Sequence, residues 1–426
     1  MHIKIKIWHF VLVLSVIIII VRFNLLLNTF LLFIKLIKLF VTKPSLAFQQ
    51  LNLSMLDSFV SFFLILIIPI FSFIKRKKIG ALFNTINFTS FIIIILVFFF
   101  CLAPLIANSN PNFQKNLSVT KLLPPLSYIK VIHLVPEENL NSNIMDFISL
   151  KNKVVKRSFN ENIIFADSVA DGQKFIYYQH GSAFELPKSK IIMNNGKPLI
   201  TQKYFLLGTD ELGRDIYSRL IYGARISLFV GLGSVAISLF LGLILGFLAG
   251  YPGGIMDSSL NRITDMFLAF PVIFLIILIL ALWGNSLISV IVVLGFSGWM
   301  SLFKIVRGEV ISLKNKDYFI SAKLIGLSRK KLLIKEVLPV ILAPVIVNLV
   351  FQYANVILAE AALSYLGLGT GSTYPSWGAM IEAGQNYLSH AWWMIFFPGL
   401  ILFLTLYTAN NLGQKINIYF NPRIEA

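Results

Sequence analysis

The chain has 426 residues, 57% hydrophobic and 13% charged, with a mean hydropathy of +0.80; ordinary soluble domains carry about a quarter charged residues. Its net charge of +18 comes with no nucleic-acid motif, so it reads as the Lys/Arg excess of cytoplasmic loops in a membrane protein. A single cysteine, Cys101, excludes an intrachain disulfide, and the five histidines, His2, His9, His133, His180 and His390, show no ligand spacing.

In chain order, Lys4 and Lys6 precede the apolar run Val11–Val21. No small-residue cleavage site follows, so the segment reads as an uncleaved anchor. Apolar runs cover Ile7–Val21, Leu25–Phe40 and Phe59–Ile74, with Lys35, Lys38 and Lys43 before the third. The cluster Lys75, Arg76, Lys77 and Lys78 belongs inside by the charge rule. Two arrangements satisfy it: a two-helix hairpin with the third run in the interface, or one long first helix followed by Phe59–Ile74.

Six later stretches are long enough to span a hydrocarbon core of about 30 Å: Phe88–Ile106, Ile226–Gly250, Ile263–Trp283, Leu287–Val306, Pro339–Leu363 and Trp392–Asn411. The loop from Arg307 to Glu336 is basic, whereas Trp283–Ser286 and Ser364–Trp392 carry no Lys or Arg. Six spans starting and ending inside meet each of these assignments. The predicted organisation is therefore an extra hydrophobic region (1–78), a first core helix (79–107), an extracytoplasmic insert (108–204) and a core with five transmembrane helices (205–426), whose cytoplasmic loop is 307–338. The insert is either a small domain or a partly ordered segment.

Gly231-Leu-Gly233-Ser-Val-Ala236 matches a dinucleotide-binding pattern but lies within a span, where small residues let helices pack closely. There is no phosphate-binding loop, so any ATP that drives this chain binds elsewhere; no catalytic constellation is present either. The segment Asp317-Tyr-Phe-Ile-Ser-Ala-Lys-Leu-Ile-Gly326-Leu-Ser reads as a short helix, a turn at Gly326 and a second helix starting near Ser328. Such a knob between two membrane helices suits a partner that pushes on it.

That loop resembles the coupling loop of ABC importer permeases. Ile320, Ser321 and Ala322 stand at its Glu-Ala-Ala position, with Ile320 in place of the acidic residue. Lys323, Gly326, Leu327 and Ser328 continue it, and Val337-Leu338-Pro339 closes it. Further segments resemble the C-type permease of the dipeptide/oligopeptide transport family: Leu207–Asp215 (LGTDELGRD), Tyr217–Leu228 (YSRLIYGARISL), Ala249–Gly254, Asp265–Pro271, Ala361–Gly369 (AALSYLGLG), Pro375–Ala379 (PSWGA), Ala103–Ala107 and Asn421-Pro422-Arg423.

The resemblance covers roughly Ile79–Ala107 and Phe205–Arg423. It implies an all-α polytopic membrane protein with a six-helix permease core, resident in the bacterial cytoplasmic membrane. The implied partners are a homologous B-type permease, two cytoplasmic ATPase subunits, an extracytoplasmic substrate-binding protein and the lipid bilayer. Nucleic acid, cofactor and metal are not expected. A stand-alone secondary transporter or channel, or the same importer class carrying nickel or another small solute, is the alternative.

Glu360, Asp265, Gln352 and Asn355, together with Asn348, are candidate pathway groups, because ionisable and amide side chains within spans face protein or water. Each has a structural alternative, an ion pair or a bond between helices. Asp210, Glu211, Arg214 and Asp215 form a charged turn that shapes the extracytoplasmic entrance or a buried network. Trp377, Trp392 and Trp393 sit where an aromatic belt lies.

Overall fold

The computed structural model describes residues 7–75, 87–135, 142–156, 162–171, 175–194, 196–371 and 374–420. Arg76, Lys77, Lys78 and the Asn421-Pro422-Arg423 motif lie outside them. Among the described residues, seven helices are long and apolar enough to cross a membrane, or eight if one bent pair counts as a span. The chain divides into two units, 1–225 with 383–399, and 226–382 with 400–426.

The first unit opens with α1 (Ile7–Val21) and α2 (Phe23–Thr42), joined through Arg22. The ladder persists across the joint, with Arg22 N–H donating to the Ile18 carbonyl and Leu26 N–H to that of Arg22. A short α3 (Pro44–Gln50) begins on proline, which needs no backbone donor at a first helical turn. Then comes α4 (Leu53–Ile74), capped by the Asn52 side chain, which accepts from Met55 N–H at 2.9 Å. The third apolar run is thus a 22-residue helix. It packs on α1 and on α5 (Phe88–Ile106), with Ile65 fully buried, and is long and apolar enough to cross a membrane.

Helix α5 is kinked. Pro104 has no N–H for the Phe100 carbonyl, and Leu102 leaves helical geometry. Arg225 Nε donates to that orphaned carbonyl at 2.7 Å, while Ser61 Oγ donates to the neighbouring Cys101 carbonyl at 3.1 Å. Arg225 also pairs with Asp57 of α4 at 2.5 Å. At the end of α5, Arg22 donates to the Ile106 carbonyl at 2.9 Å and to Asn108 Oδ1 at 2.6 Å. The N-terminal helices are therefore bonded to the first core helix where proline breaks its ladder.

The insert is a small folded body. After α6 (Leu117–Thr120), β1 (Ser127–His133) pairs antiparallel with β2 (Ile163–Ala166) on one side and with the last strand, Ile200–Phe205, on the other. Strand β1 alternates, burying Ile129 and Val131 with Ile163, Phe165 and Phe205. Helix α7 (Ser142–Lys151) lies between β1 and β2 in sequence. A second sheet joins β3 (Ser168–Asp171), β4 (Phe175–Gln179) and β5 (Ser182–Leu186). The β4–β5 connection is His180-Gly181, both at positive φ, which is the geometry of a two-residue I′ turn. Asp167 accepts from His180 N–H at 2.6 Å and holds it. Two short strands, β6 (Met193–Asn194) and β7 (Lys197–Pro198), precede the last strand, β8.

Helix α8 runs Ile216–Gly250, beginning ten residues before the expected span. Ser234, Ser238, Gly242, Gly246 and Gly250 recur every fourth residue, giving one smooth face. Against it packs α11 (Leu287–Lys314). Ser234 and Ser238 hydroxyls donate to the Ile291 and Gly295 carbonyls at 3.0 and 2.6 Å. A Cβ on Gly242 would stand 2.7 Å from Leu302, and one on Gly246 2.6 Å from Val306. Gly231 and Gly233, of the dinucleotide-like pattern, meet Tyr353 and Ile291 in the same way, so the pattern serves packing.

The expected span Ile263–Trp283 is broken. Helices α9 (Gly254–Ala269) and α10 (Val272–Trp283) meet at 86°. Pro271 bars the preceding residue from helical geometry, and Phe270 is extended with ψ 135°. After α11 come α12 (Asp317–Leu324), α13 (Arg329–Leu332), α14 (Leu338–Tyr365), α15 (Trp377–Gly384) and α16 (Trp393–Phe420). With α5, α8, the bent pair, α11, α14 and α16, the six-helix core is accounted for.

Candidate functional site

Within the second unit, three of the recognised motifs converge on one carboxyl group. Glu360, in the second-last turn of α14, is completely buried. Its Oε1 accepts from Ser364 Oγ, one helical turn on, at 2.8 Å, and its Oε2 from Ser227 Oγ of α8 at 3.2 Å. Ser376 lies at the same place, 3.4 Å from Ser364 Oγ. The backbone N–H of Trp377 donates to Ser227, and that of Ala379 to Ser376, so the start of α15 holds both hydroxyls.

Two glycines make the approach possible. A Cβ on Gly378 would lie 2.6 Å from the Ala361 Cα, and one on Gly369 2.1 Å from Ser364 Oγ. The segments around Ser227, Ala361–Gly369 and Pro375–Ala379 thus form one shelf around Glu360. Sequence reasoning found Glu360 and missed the three serines, because they come from three separate segments and a lone serine carries no periodic signal.

The other pathway candidates are not gathered with it. Gln352 lies on α14 with its amide over Gly298 of α11, where a Cβ would come within 1.9 Å of Nε2. Neither amide atom of Gln352 nor the Asn348 carbonyl oxygen has a hydrogen-bond partner among the described residues. Asn355 is exposed. Asp265 is an exposed residue of α9; it pairs with Lys304 at 2.5 Å and accepts from Asn261 at 3.0 Å.

In the first unit, Asp210, Glu211, Arg214 and Asp215 form an interlocked turn. Asp210 Oδ1 accepts from the N–H groups of Leu212 and Arg214, and its Oδ2 from Arg214 Nε at 2.6 Å. Arg219 Nε lies 3.5 Å from the same oxygen. Arg214 also donates to Glu211 at 3.2 Å. Asp215 caps α8, accepting from both the N–H and the hydroxyl of Ser218. Burial pushes the Asp215 carboxyl above the ordinary carboxylate range; burial and then Asp210 push Glu211 the same way. Gly213, at φ +68°, packs on Thr120, and Thr209 donates to the Thr120 carbonyl.

The tryptophans depart from the expected belt. Trp377 is fully buried. Trp393 is 5% exposed, with Nε1 donating to the Thr209 carbonyl at 3.1 Å; only Trp392 is half exposed. Trp377 supplies packing and Trp393 a hydrogen bond inside the protein, and Gly208 leaves room for the Trp393 indole.

The loop after α11 forms the expected pair of helices. Phe319 and Ala322 of α12 are buried against Leu302, Val306, Val310, Leu332 and Ile341. Gly326 has φ +88°, with Leu327 N–H on the Ala322 carbonyl and Gly326 N–H on that of Lys323. This pair of bonds is the glycine-dependent Schellman ending. A π-helical turn, Leu333–Val337, carries the chain into α14, with Leu338 N–H reaching back five residues to Leu333. Ser321 and Lys323 face outward, and so does an apolar set: Ile320 is 44% exposed, Leu324 81% and Ile325 82%.

Residues 242–425 match the family described as binding-protein-dependent transport system inner membrane component. The dipeptide transport system permease protein DppC of Bacillus subtilis (strain 168) is 39% identical over 218 residues, 51% of this chain and 68% of that protein. The oligopeptide transport system permease protein OppC of the same organism is 34% identical over 55% of this chain and 76% of that protein. A solved amino acid ABC transporter is 13% identical, covering 47% of this chain and 92% of its own, at a TM-score of 0.38. The family's proteins are transport subunits rather than enzymes, they work with ATPase, substrate-binding and permease partners, and they are multi-pass inner-membrane proteins. With the family match over residues 242–425 and 39% identity across two thirds of a relative, the chain belongs to the family of binding-protein-dependent transport system inner membrane components.

Proposed function

We propose that this chain forms half of an ATP-driven pathway for dipeptides or oligopeptides, paired with a homologous B-type permease. Two cytoplasmic ATPase subunits dock on residues Ile320 to Ser328, and an extracytoplasmic binding protein delivers the substrate. The peptide assignment is supported by the relatives, whose names specify dipeptide and oligopeptide transport. The observation that carries the coupling role is the exposed set Ile320, Leu324 and Ile325 on a helix anchored by Phe319 and Ala322. An apolar knob with a fixed base transmits a push, and ATP acts by binding one state of its own subunit more tightly than the other.

Glu360, with Gln352 and Asn355, is proposed to face the pathway, Glu360 being a buried carboxyl that accepts from two serine hydroxyls. Asp265 is proposed as a charged group at the pathway's inner end, where Lys304 shares it. The turn Asp210 to Asp215 is proposed to shape the entrance, its ion pairs keeping it rigid.

The test is tagged co-purification with uptake measurement, for the parent chain and Gly326→Trp. The position is open, with nothing within 4 Å of a Cβ, but its φ of +88° is strained for any L side chain. The expected outcome is a variant present in the membrane, without ATPases and without peptide uptake. Normal uptake by Gly326→Trp would sink the coupling assignment.

A further inference from the structure

The proposed transport role leaves one built feature unused. At the far end of α2 the first unit encloses a cleft of about 380 Å³. Lys35, Lys38 and Thr42 line it from a single face of α2, spaced three and four residues apart. Lys43 and Gln50, at the two ends of α3, add a second wall, and Asp146 of α7 adds a third. The walls are fixed from beneath: Phe147 is buried with Leu32, Leu36, Met55, Phe59 and Val154. Lys151 braces α3 to α7 by donating to the Gln50 carbonyl at 2.7 Å and to its side chain at 3.2 Å.

Three ammonium groups line this cleft against one carboxylate, Asp146, which lies 3.6 Å from Lys35 and is 71% exposed. The balance calls for an anion. The adjoining face of α2 calls for hydrocarbon, since Ile34, Ile37 and Val41 are exposed at 46%, 49% and 80% on a helix apolar enough to span a membrane. A ligand that satisfies both has a phosphate beside acyl chains. Lysine near a membrane surface adds roughly fivefold to the attraction of an anionic lipid, and several together set selectivity.

We propose that this cleft binds the phosphate headgroup of an anionic phospholipid, fastening the N-terminal helices to the bilayer.

The experiment uses the full chain in nanodiscs of phosphatidylcholine doped with phosphatidylglycerol, with native mass spectrometry counting the lipids retained on extraction. Preferential retention of phosphatidylglycerol is expected, weakened about tenfold or more in Lys35→Gln/Lys38→Gln/Lys43→Gln. Asp146→Asn, which removes the competing carboxylate, is expected to strengthen it. Neutralising three lysines of the insert, Lys121→Gln/Lys190→Gln/Lys197→Gln, should change nothing. Equal retention of the two lipids, unchanged retention in the first triple variant, or an equal loss in the second would each overturn the proposal. Displacement of the lipid by inorganic phosphate alone would assign the cleft to a free anion instead. Should the first triple variant unfold on heating earlier than the parent, the Asp146→Asn arm decides: no gain in retention there refutes the site.

Discussion

Two buried carboxyl groups in this chain are held in opposite ways. Asp210 sits in a turn with two arginines, so its charge is met by charge and by two backbone N–H groups. Glu360 is buried at least as deeply, yet its partners are serine hydroxyls, and among the described residues no Lys or Arg bonds it. Removing a carboxyl from water costs several kcal/mol unless it is paired. The first group is compensated, and its pairs hold the turn rigid. The second has hydroxyl partners in place of a counter-charge, and an ionisable group so placed within a span is a candidate for function.

The comparison can be broken at either end. The largest effect is expected from Arg214→Ala, which strips Asp210 of its closest cation and should cost about 3–5 kcal/mol; a thermal-unfolding midpoint unchanged in detergent would refute the compensated picture. Ser364→Ala removes a 2.8 Å bond to Glu360 and should cost about 1.5–3 kcal/mol by the same assay.

The acid side gives a smaller, signed effect. Asp215 and Glu211 are held above the ordinary carboxylate range by burial, so the folded state keeps their protons to higher pH than the unfolded chain does. Their contribution to stability is complete below the unfolded value near 4 and is lost as pH rises through the raised folded value. Asp215→Asn with Glu211→Gln should therefore flatten the fall of the unfolding midpoint as pH rises above about 4. An unaltered slope would mean these groups titrate as in water. The smallest stability effect is expected for Glu360→Gln, under about 1 kcal/mol, since the amide oxygen still accepts a hydroxyl bond. Its uptake should nonetheless fall. Uptake equal to the parent's would remove Glu360 from the pathway.

Much of the fold was legible because membrane spans announce themselves by length and apolarity. The turn at Gly326 was legible too, since a glycine after a short helix has one common use. The break at Phe270-Pro271 carried its signal in the proline, but the apolar run on both sides masked it. The insert's sheets were written in short alternations such as Ser127–His133 and in the His180-Gly181 turn, weak signals beside the neighbouring polar residues. The Glu360 shelf was half legible. The carboxyl stands out in an apolar helix, whereas Ser227 and Ser376 join it from 133 positions upstream and from beyond the helix end, a proximity only the fold creates. The tryptophans misled because an indole suits an interface and a tight interior equally well, and Trp377 and Trp393 took the interior.

The kink in α5 has a consequence for how this protein is made. The carbonyl that Pro104 leaves open on Phe100 is answered by an arginine 125 residues further along the chain. At a synthesis rate of about 5–20 residues per second, that partner emerges roughly 6–25 s after the carbonyl it serves. Ser61 and Arg22, which donate to the Cys101 and Ile106 carbonyls, precede α5 in the chain and are already synthesised. The N-terminal helices thus act as an early brace, keeping the first core helix company in the bilayer through the long interval in which the whole insert is built and Arg225 has yet to arrive.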